Sequence, residues 1–169
     1  MHYTSLYAFS DFYKEHFKHR RSEKLRFLDV GSMKMGKMGV FGRYLQHPNW
    51  ECIGIDTAEG PNVDVIATDP YHYPFEDNSF NLVLSGSTME HVEDIYAWVK
   101  ELARLTKDMV WILVPNKCKE HKYPIDCWRV FPDGMRWILR EVGGLEVISA
   151  EMSRHEPEET IGIARKIKK

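Results

Sequence analysis

The chain has 169 residues, 43% of them hydrophobic and 28% charged, with 23 Lys and Arg against 25 Asp and Glu and a formal net charge of −2. That is the length and balance of one globular domain with its own core, so residues 1–169 are read as a single domain, with residues 1–24 as an N-terminal helical extension. The balance excludes gripping a nucleic-acid backbone by bulk positive charge, and no apolar run approaches the roughly 20 residues of a membrane span.

Leu6, Phe9, Phe12, Tyr13 and Phe17 recur near helical spacing, which predicts a helix over 5–19. It runs into a basic cluster, His16, Lys18, His19, Arg20, Arg21 and Lys24. A solvated helix end explains that cluster, with a phosphate or partner patch as the alternative. Apolar runs predict buried strands over 25–30, 52–55, 63–67, 81–85 and 109–114, and a helical segment over 40–46. Between the second and third strands only a turn-rich stretch, 57–62, is available, too short for a crossover helix. Ile95, Trp98, Val99, Leu102 and Leu105 share one face of a helix over 94–106 that Asp94 can cap. Met135, Ile138, Leu139 and Val142 do the same over 133–142, with Gly143 and Gly144 as its stop. Two last strands follow over 145–149 and 160–167.

Strands alternating with helices imply an α/β fold, a mostly parallel sheet covered by helices on both faces. Ligands of such sheets bind beyond the carboxyl ends of the strands. The first strand runs into Gly31-Ser32-Met33-Lys34-Met35-Gly36-Lys37-Met38-Gly39. A glycine-rich turn there lets backbone approach a ligand closely. A dinucleotide site needs G-x-G-x-x-G, and Met33 stands at the second glycine. A phosphate-binding loop needs G-x-x-x-x-G-K-[ST], and the match fails at Met38, which offers magnesium no hydroxyl. A nucleoside with an amino-acid tail remains. Asp56, at the end of the second strand, can accept both ribose hydroxyls, and Asp69, after the third, can meet an adenine amine. Each aspartate alone also suits a turn or a cap.

With those positions filled together, the segment from about Arg26 to Val114 resembles the S-adenosylmethionine-dependent methyltransferases of the seven-stranded class. The resemblance rests on Phe27-Leu28-Asp29-Val30-Gly31, on Gly54-Ile55-Asp56, on Asp69 with the run Tyr73 to Asn81, and on Met89-Glu90-His91-Val92. The run His121-Lys122-Tyr123-Pro124-Ile125-Asp126-Cys127-Trp128-Arg129-Val130-Phe131-Pro132-Asp133-Gly134 is similar to a subgroup of small bacterial methyltransferases often found among sugar- and polysaccharide-synthesis functions. What the resemblance implies is a doubly wound seven-stranded sheet with its last strand antiparallel, and S-adenosylmethionine as cofactor. The cofactor would be held by Asp29, Gly31, Ser32, Met33, Gly36, Asp56, Thr57, Asp69, Pro70, Tyr71, Ser85 and Gly86. Two departures stand out: the G-x-G-x-G loop becomes Gly31-Ser32-Met33-Lys34-Met35, and Asn81 replaces an aspartate. They leave room for a non-catalytic binding module of the same fold.

Methyl transfer from a sulfonium needs alignment and exclusion of water, and a base if the acceptor is a hydroxyl. His121 is the first candidate base, His91 the second, with Asp126 beside them. Tyr123 and Trp128 could wall an acceptor, and Arg129 could hold its phosphate or carboxylate; equally, Asp126 and Arg129 could pair and brace the loop. Met33, Met35 and Met38 could cover the cofactor edge or fill a gap. The cysteines Cys52, Cys118 and Cys127 are odd in number without a C-x-x-C, which argues against a disulfide framework and for a reducing compartment. Cys118, His121 and Cys127 lack the spacing of a structural zinc site, so no metal is expected. With no signal-peptide pattern at the start, the expected setting is the cytoplasm. The expected reaction is O-methylation of a small molecule, a sugar or nucleotide-linked sugar favoured, with nucleic acid and membrane not expected as partners.

Overall fold

The computed structural model describes residues 3–34, 41–155 and 158–168. Seven strands form one sheet: β1 (Leu25–Val30), β2 (Trp50–Asp56), β3 (Val65–Ile66), β4 (Phe80–Gly86), β5 (Thr106–Pro115), β6 (Leu145–Met152) and β7 (Glu159–Lys166). Their order is β3-β2-β1-β4-β5-β7-β6. The first five run parallel, and β7 lies antiparallel between β5 and β6, as the sequence led us to expect. The predicted strands are all present, most of them longer than read, except that the third shrinks to two residues.

Side chains alternate across β5 because a strand has a period of two. Met109, Trp111 and Leu113 point to one face of the sheet, and Val110, Ile112 and Val114 to the other. Helix α1 (Tyr3–His16) covers the first face with Leu6, Phe9 and Phe12, backed by Phe17 and by a 3-10 turn, Phe41–Leu45, in place of the helical segment expected there. Phe9 meets Trp111 edge-on at 5.1 Å and Phe41 at 5.0 Å.

Helix α2 (Ile95–Leu105) covers the second face with Trp98, Val99, Leu102 and Leu105. Its cap is the predicted one: Asp94 accepts from the amides of Tyr96 (3.0 Å) and Ala97 (2.9 Å). The third helix is a correction. Residues Pro132–Trp137 are α-helical (α3), but Ile138–Val142 widen into a π-helical turn before Gly144, which takes a positive φ of 63°. Both geometries put Met135, Ile138 and Leu139 on the core, so apolar spacing could not tell them apart. The first helix also stops at His16 instead of running to 19. Beyond it Arg20 bonds to Glu23 and to Asp108 (2.7 Å), and Arg21 to the Tyr13 hydroxyl, so part of the basic cluster is spent on the fold. Among the described residues no helix is long and apolar enough to cross a membrane.

The chain winds from β1 outward to β3 and then returns to β4 on the other side of β1. The crevice beyond the carboxyl ends of β1 and β4 is therefore the switch point at which such a sheet binds ligands.

Candidate active site

At the end of β1 the chain turns at Gly31, whose φ is +73°. A side chain there is strained by conformation, and a Cβ would overlap the Thr88 side chain, which follows β4. Backbone and post-β4 segment are thus in direct contact at the switch point. The Gly31 and Ser32 amides donate to the Ile55 carbonyl (2.9 and 3.2 Å), which ties the turn to the end of β2. Buried Ser32 donates through its hydroxyl to the Asn62 carbonyl (2.8 Å) and receives the Asn62 side-chain amide on its own carbonyl (2.9 Å). The Met33 sulfur lies where a Cβ of Gly60 would be, so it fills a gap in the β2–β3 loop. Gly36, Met35 and Met38 lie outside the described residues.

Asp56 sits at the tip of β2. One carboxylate oxygen accepts from the Met33 amide (2.9 Å) and the other from the Thr57 amide (2.8 Å). Each oxygen keeps a second lone pair. The carboxylate is therefore held in one orientation with two acceptor sites free, which is what a vicinal diol requires. Asp69 is exposed and accepts from the Tyr71 amide (2.7 Å), closing an Asx turn at Pro70. Burial pushes the Tyr73 phenol up, its bond from Trp98 opposes this, and the Glu101, Asp56 and Asp69 charges add to the rise. Beneath them Asp29 is buried and its carboxyl is raised to about 7 by desolvation and by the nearby Asp56 charge. Ser85 bridges the strands by donating to the Val30 carbonyl (2.7 Å), and a Cβ on Gly86 would run into the Phe41 ring. Both are buried and shape the crevice from below.

The remaining candidate residues come from two segments that meet only in the fold. The post-β4 turn carries Met89–His91, and the loop after β5 carries residues 117–131. Two hydrogen bonds stitch them: the Cys127 amide donates to the Glu90 carbonyl (2.7 Å), and the Trp128 indole to the Val92 carbonyl (2.7 Å). His91 Nδ1 bonds the Ile125 carbonyl at 2.6 Å. Asp126 takes both ends of the Arg129 guanidinium (2.6 and 2.7 Å) and the His121 amide (2.6 Å). Those partners hold its carboxyl far below the usual carboxylate range. Of the two alternatives for this pair, bracing is the one the geometry displays. Trp128 is half-buried against the core, whereas Tyr123 stands exposed beside both histidines, ring centroids 5.9 Å from His91 and 6.2 Å from His121.

The histidines that the sequence separates by thirty positions stand together, ring centroids 5.0 Å apart and perpendicular. Both face Glu90, whose carboxylate Oε1 lies 3.7 Å from His91 Nε2 and 3.8 Å from His121 Nε2. Glu90 has no exposed surface, and burial lifts its carboxyl to about 7. Burial also holds His91 below its ordinary value. Glu90 went unrecognised as a functional residue in the sequence. The one signal was its place beside a histidine just past a buried strand.

The profile of the methyltransferase-domain family matches residues 28–114, just over half of the chain. None of the curated proteins matches closely enough to count as a relative. Among solved structures, a SAM-dependent methyltransferase from Aquifex aeolicus is 18% identical, with 86% of this chain and 84% of that one covered and a TM-score of 0.63. The 1,6-didemethyltoxoflavin-N1-methyltransferase of Burkholderia thailandensis, with S-adenosylhomocysteine bound, is 13% identical over 98% of this chain and 79% of its own, TM-score 0.71. Magnesium protoporphyrin IX methyltransferase from Synechocystis PCC 6803 is 12% identical over 97% and 84%, TM-score 0.65. Similarity at these identities is similarity of fold.

Proposed function

The chain belongs to the methyltransferase-domain family, and from that premise we propose that it transfers the methyl group of S-adenosylmethionine to an oxygen of a small-molecule acceptor, a sugar or nucleotide-linked sugar. Bound in the crevice, the cofactor supplies a methyl group activated by the sulfonium charge. The observation that carries the reading is Asp56. Its two oxygens are oriented by the Met33 and Thr57 amides and retain the acceptor capacity for a ribose diol. Asp29, Gly31, Ser32, Met33 and Thr57 complete that half of the site, and Asp69, Pro70 and Tyr71 form its adenine-side rim.

The acceptor enters from the side of Tyr123, His91 and His121. Of the two histidines His121 is the more open, with 38% of its side chain exposed against 14% for His91. It is the group an acceptor hydroxyl can reach, and it takes that proton in the metal-free protein. The Arg129–Asp126 pair holds the loop that carries His121 through its backbone amide. The sugar acceptor rests on the resemblance of residues 121–134 to the small bacterial subgroup. A screen of nucleotide sugars with S-adenosylmethionine, read by mass spectrometry, tests the reading. A product heavier by one methylene is expected. His121→Ala is expected to lower turnover by about 100-fold or more while cofactor affinity is kept. A screen in which hydroxyl acceptors gain no mass while nitrogen or carbon acceptors do would overturn the oxygen assignment.

A further inference from the structure

We propose that Glu90, His91 and His121 form a binding site for a first-row divalent metal ion, with an open position facing the acceptor. The first observation is an orphaned charge. Glu90 is wholly buried, and neither carboxylate oxygen has a hydrogen-bond partner. A buried carboxyl in that condition is costly unless something positive or protic completes it.

The second observation is which nitrogens face it. Ile125 offers His91 Nδ1 a carbonyl oxygen at 2.6 Å, and a carbonyl can only accept. The proton of neutral His91 therefore sits on Nδ1, and Nε2 presents a lone pair. His121 repeats the pattern. Its Nδ1 faces two acceptors, the Lys119 carbonyl at 3.3 Å and the Asp126 carboxylate at 3.5 Å, nearer than the Cys118 sulfur at 3.8 Å, and a proton on Nδ1 leaves Nε2 as the lone pair. Both Nε2 atoms lie beside Glu90 Oε1, at 3.7 and 3.8 Å. Those separations are too long for hydrogen bonds. They lie just beyond the roughly 3.0 to 3.6 Å between neighbouring ligands of an ion held at about 2.1 Å, so a shift of a few tenths of an ångström would bring them into a coordination shell. The three ligand atoms lie within 4.8 Å of one another, so a small rotation of the imidazoles closes the set.

The outer contacts fit as well. Metal-bound histidines usually donate the far N–H to a carbonyl or carboxylate, and Ile125, Lys119 and Asp126 supply those acceptors here. Two imidazoles and one carboxylate suit zinc, iron, cobalt or nickel better than magnesium or calcium. His121 and Tyr123 leave a route to solvent. Three protein ligands leave at least one position for an oxygen of the acceptor, which the ion would make more acidic. In that loaded state His121 is a ligand, and the acceptor proton leaves to solvent. Only this last step rests on the proposed reaction; binding of the ion does not.

The test uses the whole chain, stripped with a chelator and titrated with cobalt(II) while the visible absorption is followed. One equivalent is expected to bind with d–d bands of a low-coordinate site, and zinc(II) should displace it. Glu90→Gln, His91→Ala and His121→Ala should each weaken cobalt binding at least tenfold, and Asp126→Asn by a smaller factor. Circular dichroism and S-adenosylhomocysteine binding report that the variants are folded. Cys118→Ser and Cys127→Ser should leave the spectrum unchanged. Cobalt binding no stronger in the wild type than in Glu90→Gln would overturn the site. So would a spectrum abolished by Cys118→Ser, which would move the ion to the Cys118–His121 contact. Cobalt bound as expected by a protein that fails to bind S-adenosylhomocysteine would defeat the methyl-transfer reading and leave this one standing.

Discussion

At Gly31 a side chain would be wrong twice over, by the +73° φ and by contact with Thr88. The left-handed conformation alone costs an alanine about 1–2 kcal/mol. Gly31→Ala should lower the thermal midpoint and weaken cofactor binding together. A variant that loses neither would show that the turn tolerates a Cβ and that its closeness to Thr88 is incidental. Asp56 was legible because an acid at the end of the second strand follows from the strand pattern. Its orientation by two amides was not, because the Met33 partner lies across a chain turn. Glu90 was illegible for a related reason. Sequence shows a glutamate beside a histidine, while its burial and its meeting with His121 depend on the loop after β5.

Among the elements, that loop is held by side chains rather than by a ladder. The Arg129–Asp126 fork braces it from within, and the Trp128 indole, the His91 ring and the Cys127 amide pin it to the post-β4 segment. Arg129→Ala should free the loop, exposing Lys117, Lys119 and Lys122 to trypsin faster than in the wild type, with cofactor affinity unchanged. Cleavage at the wild-type rate would mean the fork is dispensable to the loop. The strands were easier to read than the loop. Continuous apolar runs in β1, β4 and β5 reflect burial on both faces, a strong and local signal. The π turn at Ile138–Val142 left no such mark, since its apolar residues sit equally well on either helix.

Across the whole molecule, α1 completes the core. Phe9, Phe12 and Phe17 are almost fully buried, and together with Trp111 they form one face of the sheet's packing. Phe9→Ala should cost about 3–5 kcal/mol in denaturant unfolding, the usual loss for a buried phenylalanine. A loss under about 1 kcal/mol would make the helix an appendage. A second global property follows from Asp29. Its carboxyl is raised to about 7 in the fold by burial first and by Asp56 second, with Cys52 also close and the Asn62 amide opposing. An acid raised in the fold supports stability fully below its unfolded pKa, near 3.9, and loses that support as pH rises through about 7. Stability should therefore fall over that window in the wild type and fall less in Asp29→Asn. Equal slopes in the two proteins would remove Asp29 as the cause.

In the proposed function the crevice beyond β1 and β4 holds the cofactor, and Asp56 is the side chain on which that proposal turns. Titration calorimetry with S-adenosylhomocysteine asks this directly. One molecule should bind per chain, and Asp56→Ala should bind it about 100-fold more weakly, as expected when two charge-assisted hydrogen bonds are lost. Equal affinity in the two folded proteins, or no heat in the wild type at millimolar ligand, would contradict the account.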